Sequence, residues 1–145
     1  MMKKFRKLVA IWVILLSMAV LFSSCRKYED GPTFSLISKK ERVANDWKTV
    51  TVFRNDIDET KEYPTYSINF GKKDVTWKFQ RSTDTNPTEI TGTWELASVK
   101  EQIKISYVVG SETRLQYMDI LRLTETELWV SYLRDGDYFD IRLKD

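Results

Sequence analysis

Residues 65–80 read TYSINFGKKDVTWKFQ. Tyr66, Ile68 and Phe70 alternate with smaller or polar neighbours. Beyond Gly71-Lys72-Lys73, Val75, Trp77 and Phe79 alternate in the same way. In an extended chain, successive side chains point to opposite faces, so each run has one apolar face. Two such runs joined by a short turn predict an antiparallel hairpin packed on one side. This stretch decides the fold because its pattern repeats upstream and downstream.

Working outward, the spacing predicts eight strands, at 47–54, 65–70, 74–80, 88–97, 103–109, 115–123, 128–133 and 138–143. The fourth alternates cleanly, with Ile90, Gly92, Trp94 and Leu96 against Glu89, Thr91, Thr93 and Glu95. The fifth turns Ile103, Ile105, Tyr107 and Val109 inward. Asp135-Gly136 is a two-residue hairpin signal, since glycine accepts the positive φ of such turns. Connections of ten residues or fewer leave no room for crossover helices. The strands must therefore meander. Eight of them with one buried face close on themselves, because closure removes unpaired edges. The expected fold is all-β, an eight-stranded antiparallel up-and-down barrel preceded by a short helix.

That helix is read at 38–45. Ser38 with Glu41 three residues on forms a capping box. Leu36 or Ile37 supplies a staple, Val43 faces inward, and Lys39, Lys40, Glu41 and Arg42 form the wet face. The first strand carries a conflict of parity: Trp47 facing in leaves Val50 and Val52 facing out. A bulge near Thr49 reconciles them.

The inward faces gather Tyr66, Phe70, Trp77, Phe79, Trp94, Tyr107 and Phe139. An eight-stranded barrel is just wide enough to be filled by side chains or to hold one small ligand. These aromatics are then either a packed core or the wall of a pocket for an apolar or flat molecule. Without a bulge in the sixth strand, Tyr117 and Asp119 join the inner face with Leu121 and Leu123. The ligand-binding candidates are accordingly Tyr66, Trp77, Trp94, Tyr107, Tyr117 and Asp119. Gly92 marks either a barrel corner or room left for a ligand. Trp129, with Ser131 and Leu133, falls on the outer face, either covered by the helix or anchoring a partner.

The N-terminus reads differently. Lys3, Lys4, Arg6 and Lys7 precede an apolar run from Leu8 to Phe22, then Ser23, Ser24 and Cys25, the sole cysteine. A basic start, an apolar run and small residues make an export signal, and the run falls short of the roughly 20 apolar residues a spanning helix needs. The cysteine after the small residues resembles the lipobox of bacterial lipoproteins. That resemblance implies cleavage before Cys25 and acylation of its sulfur and new amine. Residues 1–24 are then a signal peptide, 25–35 a lipidated tether around Gly31-Pro32, and 36–145 the barrel domain. Lys27-Tyr28-Glu29-Asp30 is similar to the charged patch after the cysteine in surface lipoproteins of the Bacteroidota, and reads equally as a solvated linker.

Four of the 23 basic residues and none of the 21 acidic ones fall in residues 1–24, so the remainder carries 19 against 21, net −2. A nucleic-acid partner needs a concentrated positive face, which this balance opposes. The chain has no histidine, which removes the commonest general base and metal ligand. The sequence places no acid–base pair, no metal set and no cofactor motif, so the reading is non-enzymatic.

A short helix, then a tryptophan opening the first of eight meandering strands, resembles the lipocalin and lipocalin-like families. There the tryptophan sits in a Gly-x-Trp motif at the closed end of the barrel. Here Asn45-Asp46-Trp47 takes that place, and a literal Gly92-Thr93-Trp94 occurs in the fourth strand. The whole chain is similar to small lipocalin-like lipoproteins of the Bacteroidota. The resemblance implies a protein of the cell envelope, held in the outer membrane by its lipid, that binds a small hydrophobic molecule. The alternative is a filled barrel that presents its outer surface to an envelope protein.

Overall fold

The structure is a computed structural model that describes residues 37–97 and 101–145. Cys25, the signal and the tether lie outside the described residues, as does Leu36.

Helix α1 (Lys39–Val43) is a single turn and a little more. So short a helix does not hold itself; its ends and its packing hold it. The Glu41 N–H donates to Ser38 Oγ at 3.2 Å, and the Ser38 N–H donates back to the Glu41 carboxylate at 2.9 Å. The expected capping box is therefore present, and these bonds hold the Glu41 carboxyl below its usual range. The helix stops at Val43, two residues short of the expected end. Val43 is buried and accepts a bond from Trp47 Nε1 at 2.9 Å. Arg42 reaches the Leu123 carbonyl at 3.1 Å, which pins the helix to one end of the barrel. Ile37 is exposed and is not the staple.

Nine strands follow among the described residues: β1 (Asp46–Arg54), β2 (Ile57–Asp58), β3 (Thr65–Phe70), β4 (Asp74–Gln80), β5 (Thr88–Leu96), β6 (Gln102–Val109), β7 (Glu112–Leu123), β8 (Glu127–Arg134) and β9 (Asp137–Lys144). Every pairing is antiparallel. From β3 onward each strand pairs with the next, β1 pairs with β3, and β9 returns to β1. The expected eight-stranded closed barrel is thus the fold, with β2 added beside β1. Asp135 and Gly136 have φ of 53° and 88°, as the predicted hairpin turn requires.

Two bulges set which side chains point inward. Thr49 pairs with Leu143 and Thr51 with Arg142, leaving Val50 as the extra residue. Trp47 before the bulge and Val52 after it are both fully buried, while Val50 is exposed. The expected reconciliation of the first strand holds. The second bulge lies in β7, where Ile120 pairs with Val130 and Arg122 with Trp129. Leu121 is the extra residue, and parity reverses across it. Gln116, Met118, Ile120 and Leu123 are buried. The inward placement of Tyr117, Asp119 and Leu121 is corrected: all three lie on the outer face.

The interior is filled at the helix end and through the middle. Trp47, Ile68, Trp77, Ile103, Ile105, Met118, Leu128, Val130, Ile141 and Leu143 are fully enclosed. Trp129 is partly buried on the outer wall. The guanidiniums of Arg142 and Arg122 lie 4.6 and 5.2 Å from its ring centre. Gly92 is a corner: a Cβ there would come within 2.1 Å of the Ser106 carbonyl oxygen. It brings β5 and β6 together and leaves no ligand space.

Candidate functional site at the barrel mouth

The helix plugs one end of the barrel, so access to the interior is from the other. Three connections lie at that end: the 81–87 loop, the turn at Gly110, and the Asp135-Gly136 turn. A fourth, the segment between β1 and β3, was not expected to carry structure. Asn55 and Asp56 take positive φ, β2 runs back along β1, and a 3-10 turn (Thr60–Glu62) delivers Tyr63. Tyr63 is buried edge-on against Tyr66 and Phe139, at 6.1 and 6.5 Å between centroids. Arg81 lies over its ring at 5.7 Å.

Beneath this rim lies an aromatic layer. Trp77 meets Tyr132 at 5.3 Å, Phe79 at 5.3 Å and Tyr66 at 6.3 Å between ring centres, and Tyr132 stacks on Phe139 at 5.1 Å. Edge and offset contacts of this kind add to the burial of the rings. The layer also holds a polar pair: the Tyr66 and Tyr132 hydroxyls share a hydrogen bond at 2.7 Å. Burial pushes both phenols well above their usual pKa. The enclosed Trp77 indole N–H has no hydrogen-bond partner among the described residues.

The remaining part of the mouth is open. A recess of about 420 Å³ lies there, lined by Phe79, Thr88, Ile90, Tyr107, Arg114 and Arg134 among others. The register explains this lining. Phe79 pairs with Thr88, Trp77 with Ile90, and Tyr107 with Arg114, so these side chains share the inner face. Arg134 follows Tyr132 by two residues on β8 and inherits its inward parity. Its guanidinium lies 4.3 Å from the Phe79 ring centre and 5.6 Å from that of Trp77. The recess volume falls in the range of small-molecule sites, at the lower end.

The candidates distribute as follows. Tyr107 lines the recess and is half-buried. Tyr66 and Trp77 form the layer beneath it. Trp94 is buried at the opposite end, where its Nε1 donates to the Gly71 carbonyl at 2.8 Å and Phe70 lies 5.1 Å away. It borders a separate surface hollow with Lys40, Lys73 and Lys104. Tyr117 is outside, and Asp119 accepts a bond from Gln102 Nε2 at 2.7 Å on the outer wall. Sequence reading missed Arg114 and Arg134. Strict alternation from Leu128 through Val130 and Tyr132 reaches Arg134. Arg114 was hidden by the β7 bulge.

A scan against protein-family models finds no match for this chain, and a search of the curated proteins finds none either. The fold and the mouth alone define the class, a closed antiparallel barrel suited to holding a small ligand or to serving as a structural barrel.

Proposed function

We propose that the chain is a lipid-anchored envelope protein of the lipocalin-like kind that binds a small, largely apolar molecule at the open mouth of its barrel. The recess bounded by Phe79, Ile90, Tyr107, Arg114 and Arg134 carries this reading, because a concavity of ligand size opens there onto the aromatic layer of an otherwise filled barrel. The site is a shallow one. The ligand rests on the aromatic layer and does not enter the barrel centre, since Trp77 and Tyr132 already occupy it. Anchoring rests on the order of basic residues, apolar run, Ser23-Ser24 and Cys25.

The binding test is uptake of N-phenyl-1-naphthylamine, a neutral apolar probe whose fluorescence rises when water is excluded. The wild type takes it up, and Ile90→Trp, which fills the recess, does not, while both melt cooperatively. A wild type that excludes the probe favours the second reading, a filled barrel used as an interaction scaffold. The outer row of Tyr117, Leu133 and Tyr138, all exposed, favours that reading. Anchoring is tested by Cys25→Ala, which should leave the chain uncleaved or release it from the membrane fraction. A cleaved, membrane-bound variant contradicts it.

A further inference from the structure

We propose that the mouth recess is built for an amphipathic anion: Arg114 and Arg134 take its carboxylate or similar group while its flat apolar body lies against Phe79, Ile90 and Tyr107. This rests on the binding role proposed above and specifies the ligand's charge.

Among the described residues these other inward polar groups are paired within the chain: the Tyr66 and Tyr132 hydroxyls with each other, the Gln116 amide with the Tyr117 and Leu133 carbonyls, the Thr49 hydroxyl with the Tyr66 carbonyl, and Arg54, which faces in beside Phe139, with Glu59 and Asp137. Two guanidiniums at inward positions of one recess break that pattern. Neither has a strong internal counter-ion among the described residues. Arg134 meets Asp135 at 3.3 Å, but that carboxylate is 83% exposed. Arg114 meets Glu112 at 3.9 Å, and both side chains are more than half exposed. Solvated pairs of this kind are weak and readily exchanged. Glu89 also borders the recess, but its register opposite Lys78, between the inward Thr88 and Ile90, turns its side chain to the outer wall. The two arginines thus retain binding capacity toward an incoming anion.

Geometry adds to charge. The Arg134 guanidinium lies 4.3 Å from the Phe79 ring centre, so the aromatic floor holds it at the recess. A fork held in place before binding loses less freedom when it grips a carboxylate. A planar apolar body can then lie beside it on the same floor, with Tyr107 and Ile90 as walls.

The test compares two probes with the same ring system, 8-anilinonaphthalene-1-sulfonate and neutral N-phenyl-1-naphthylamine. The full chain is held in nanodiscs of neutral lipid, with empty discs as the blank. The wild type should bind the anion about tenfold tighter than the neutral probe at low salt, and the preference should shrink as salt rises. Arg114→Gln and Arg134→Gln should each remove most of the preference. Asp135→Asn removes the competing carboxylate at a position whose positive φ asparagine accepts, and should increase the preference. If Arg134→Gln does not fold, Arg114→Gln and Asp135→Asn decide. Equal binding of the two probes by the wild type, or a preference that all three variants leave unchanged, overturns the anion site and leaves apolar binding standing. Binding of neither probe overturns both.

Discussion

The hydroxyls of Tyr66 on β3 and Tyr132 on β8 meet at 2.7 Å inside the barrel, although the two residues are 66 positions apart. Each satisfies the other within a buried aromatic layer. The pair fixes how two strands on opposite sides of the barrel face each other across the core.

Removing one member should cost more than removing both. Tyr66→Phe or Tyr132→Phe alone leaves a buried hydroxyl unsatisfied, a penalty of about 1–3 kcal/mol. The double variant buries no orphan and should be destabilised by clearly less than the sum. Chemical denaturation of the three variants measures this as a double-mutant cycle. Additive losses would show that the pair is not coupled.

The same two phenols set the alkaline limit. Their folded pKa values are raised by burial, whereas an unfolded tyrosine ionises near pH 10. The folded state therefore keeps protons that the unfolded state releases. This contribution to stability is intact below about pH 10 and is lost as pH climbs from there toward the folded values. Spectrophotometric titration of the seven tyrosines should show some ionising normally and Tyr66 and Tyr132 ionising only as the chain unfolds. A single smooth phase in a still-folded protein would refute the buried pair.

Gly92 and Gly110 should respond differently to alanine. At Gly92 the new Cβ meets the backbone carbonyl of Ser106 at 2.1 Å, so β5 and β6 must separate. The expected loss is about 3 kcal/mol or more, at or beyond the upper end of overpacking effects. At Gly110 nothing lies within 4 Å, and only the positive φ of 65° opposes alanine, a cost of about 1–2 kcal/mol. Melting temperatures of the two variants should fall in that order.

Asp140 should be replaceable with benefit. Burial raises its pKa, outweighing the opposing influence of Arg142, and its Oδ1 has no hydrogen-bond partner among the described residues. The folded state thus binds a proton more readily than the unfolded one, and charged Asp140 weakens the fold at neutral pH. Stability from this site rises as pH falls through the folded value. Asp140→Asn should raise the melting temperature at pH 7, with the gain fading toward pH 3. A gain independent of pH would assign the effect to something other than charge.

The strands were legible because alternation is a local property: an apolar residue at every second position needs only its own chain to be seen. β3 and β4 fall on the expected residues, and the other six barrel strands within a few residues at either end. The capping box at Ser38 and Glu41 was legible for the same reason, as was the turn at Asp135-Gly136. The β7 bulge was not. An extra residue exists only relative to the partner strand, so nothing in residues 112–123 alone shows that Leu121 is the surplus one. That one displacement moved Tyr117 and Asp119 to the outer wall and Arg114 into the mouth.

The sequence by itself thus determined the number of barrel strands, their antiparallel meander, the helix that precedes them, and the need to close. Each follows from local periodicity, short connections and the cost of open edges. The tertiary structure alone decided where the barrel is filled and where it is open. Whether Trp77 packs in a solid layer or borders a void depends on Tyr132 and Phe139, far away in the chain. The recess exists because the 55–63 segment delivers Tyr63 to one side of the mouth while Arg114 and Arg134 line the other. That arrangement is fixed by cross-strand register and volume, which only the closed barrel defines.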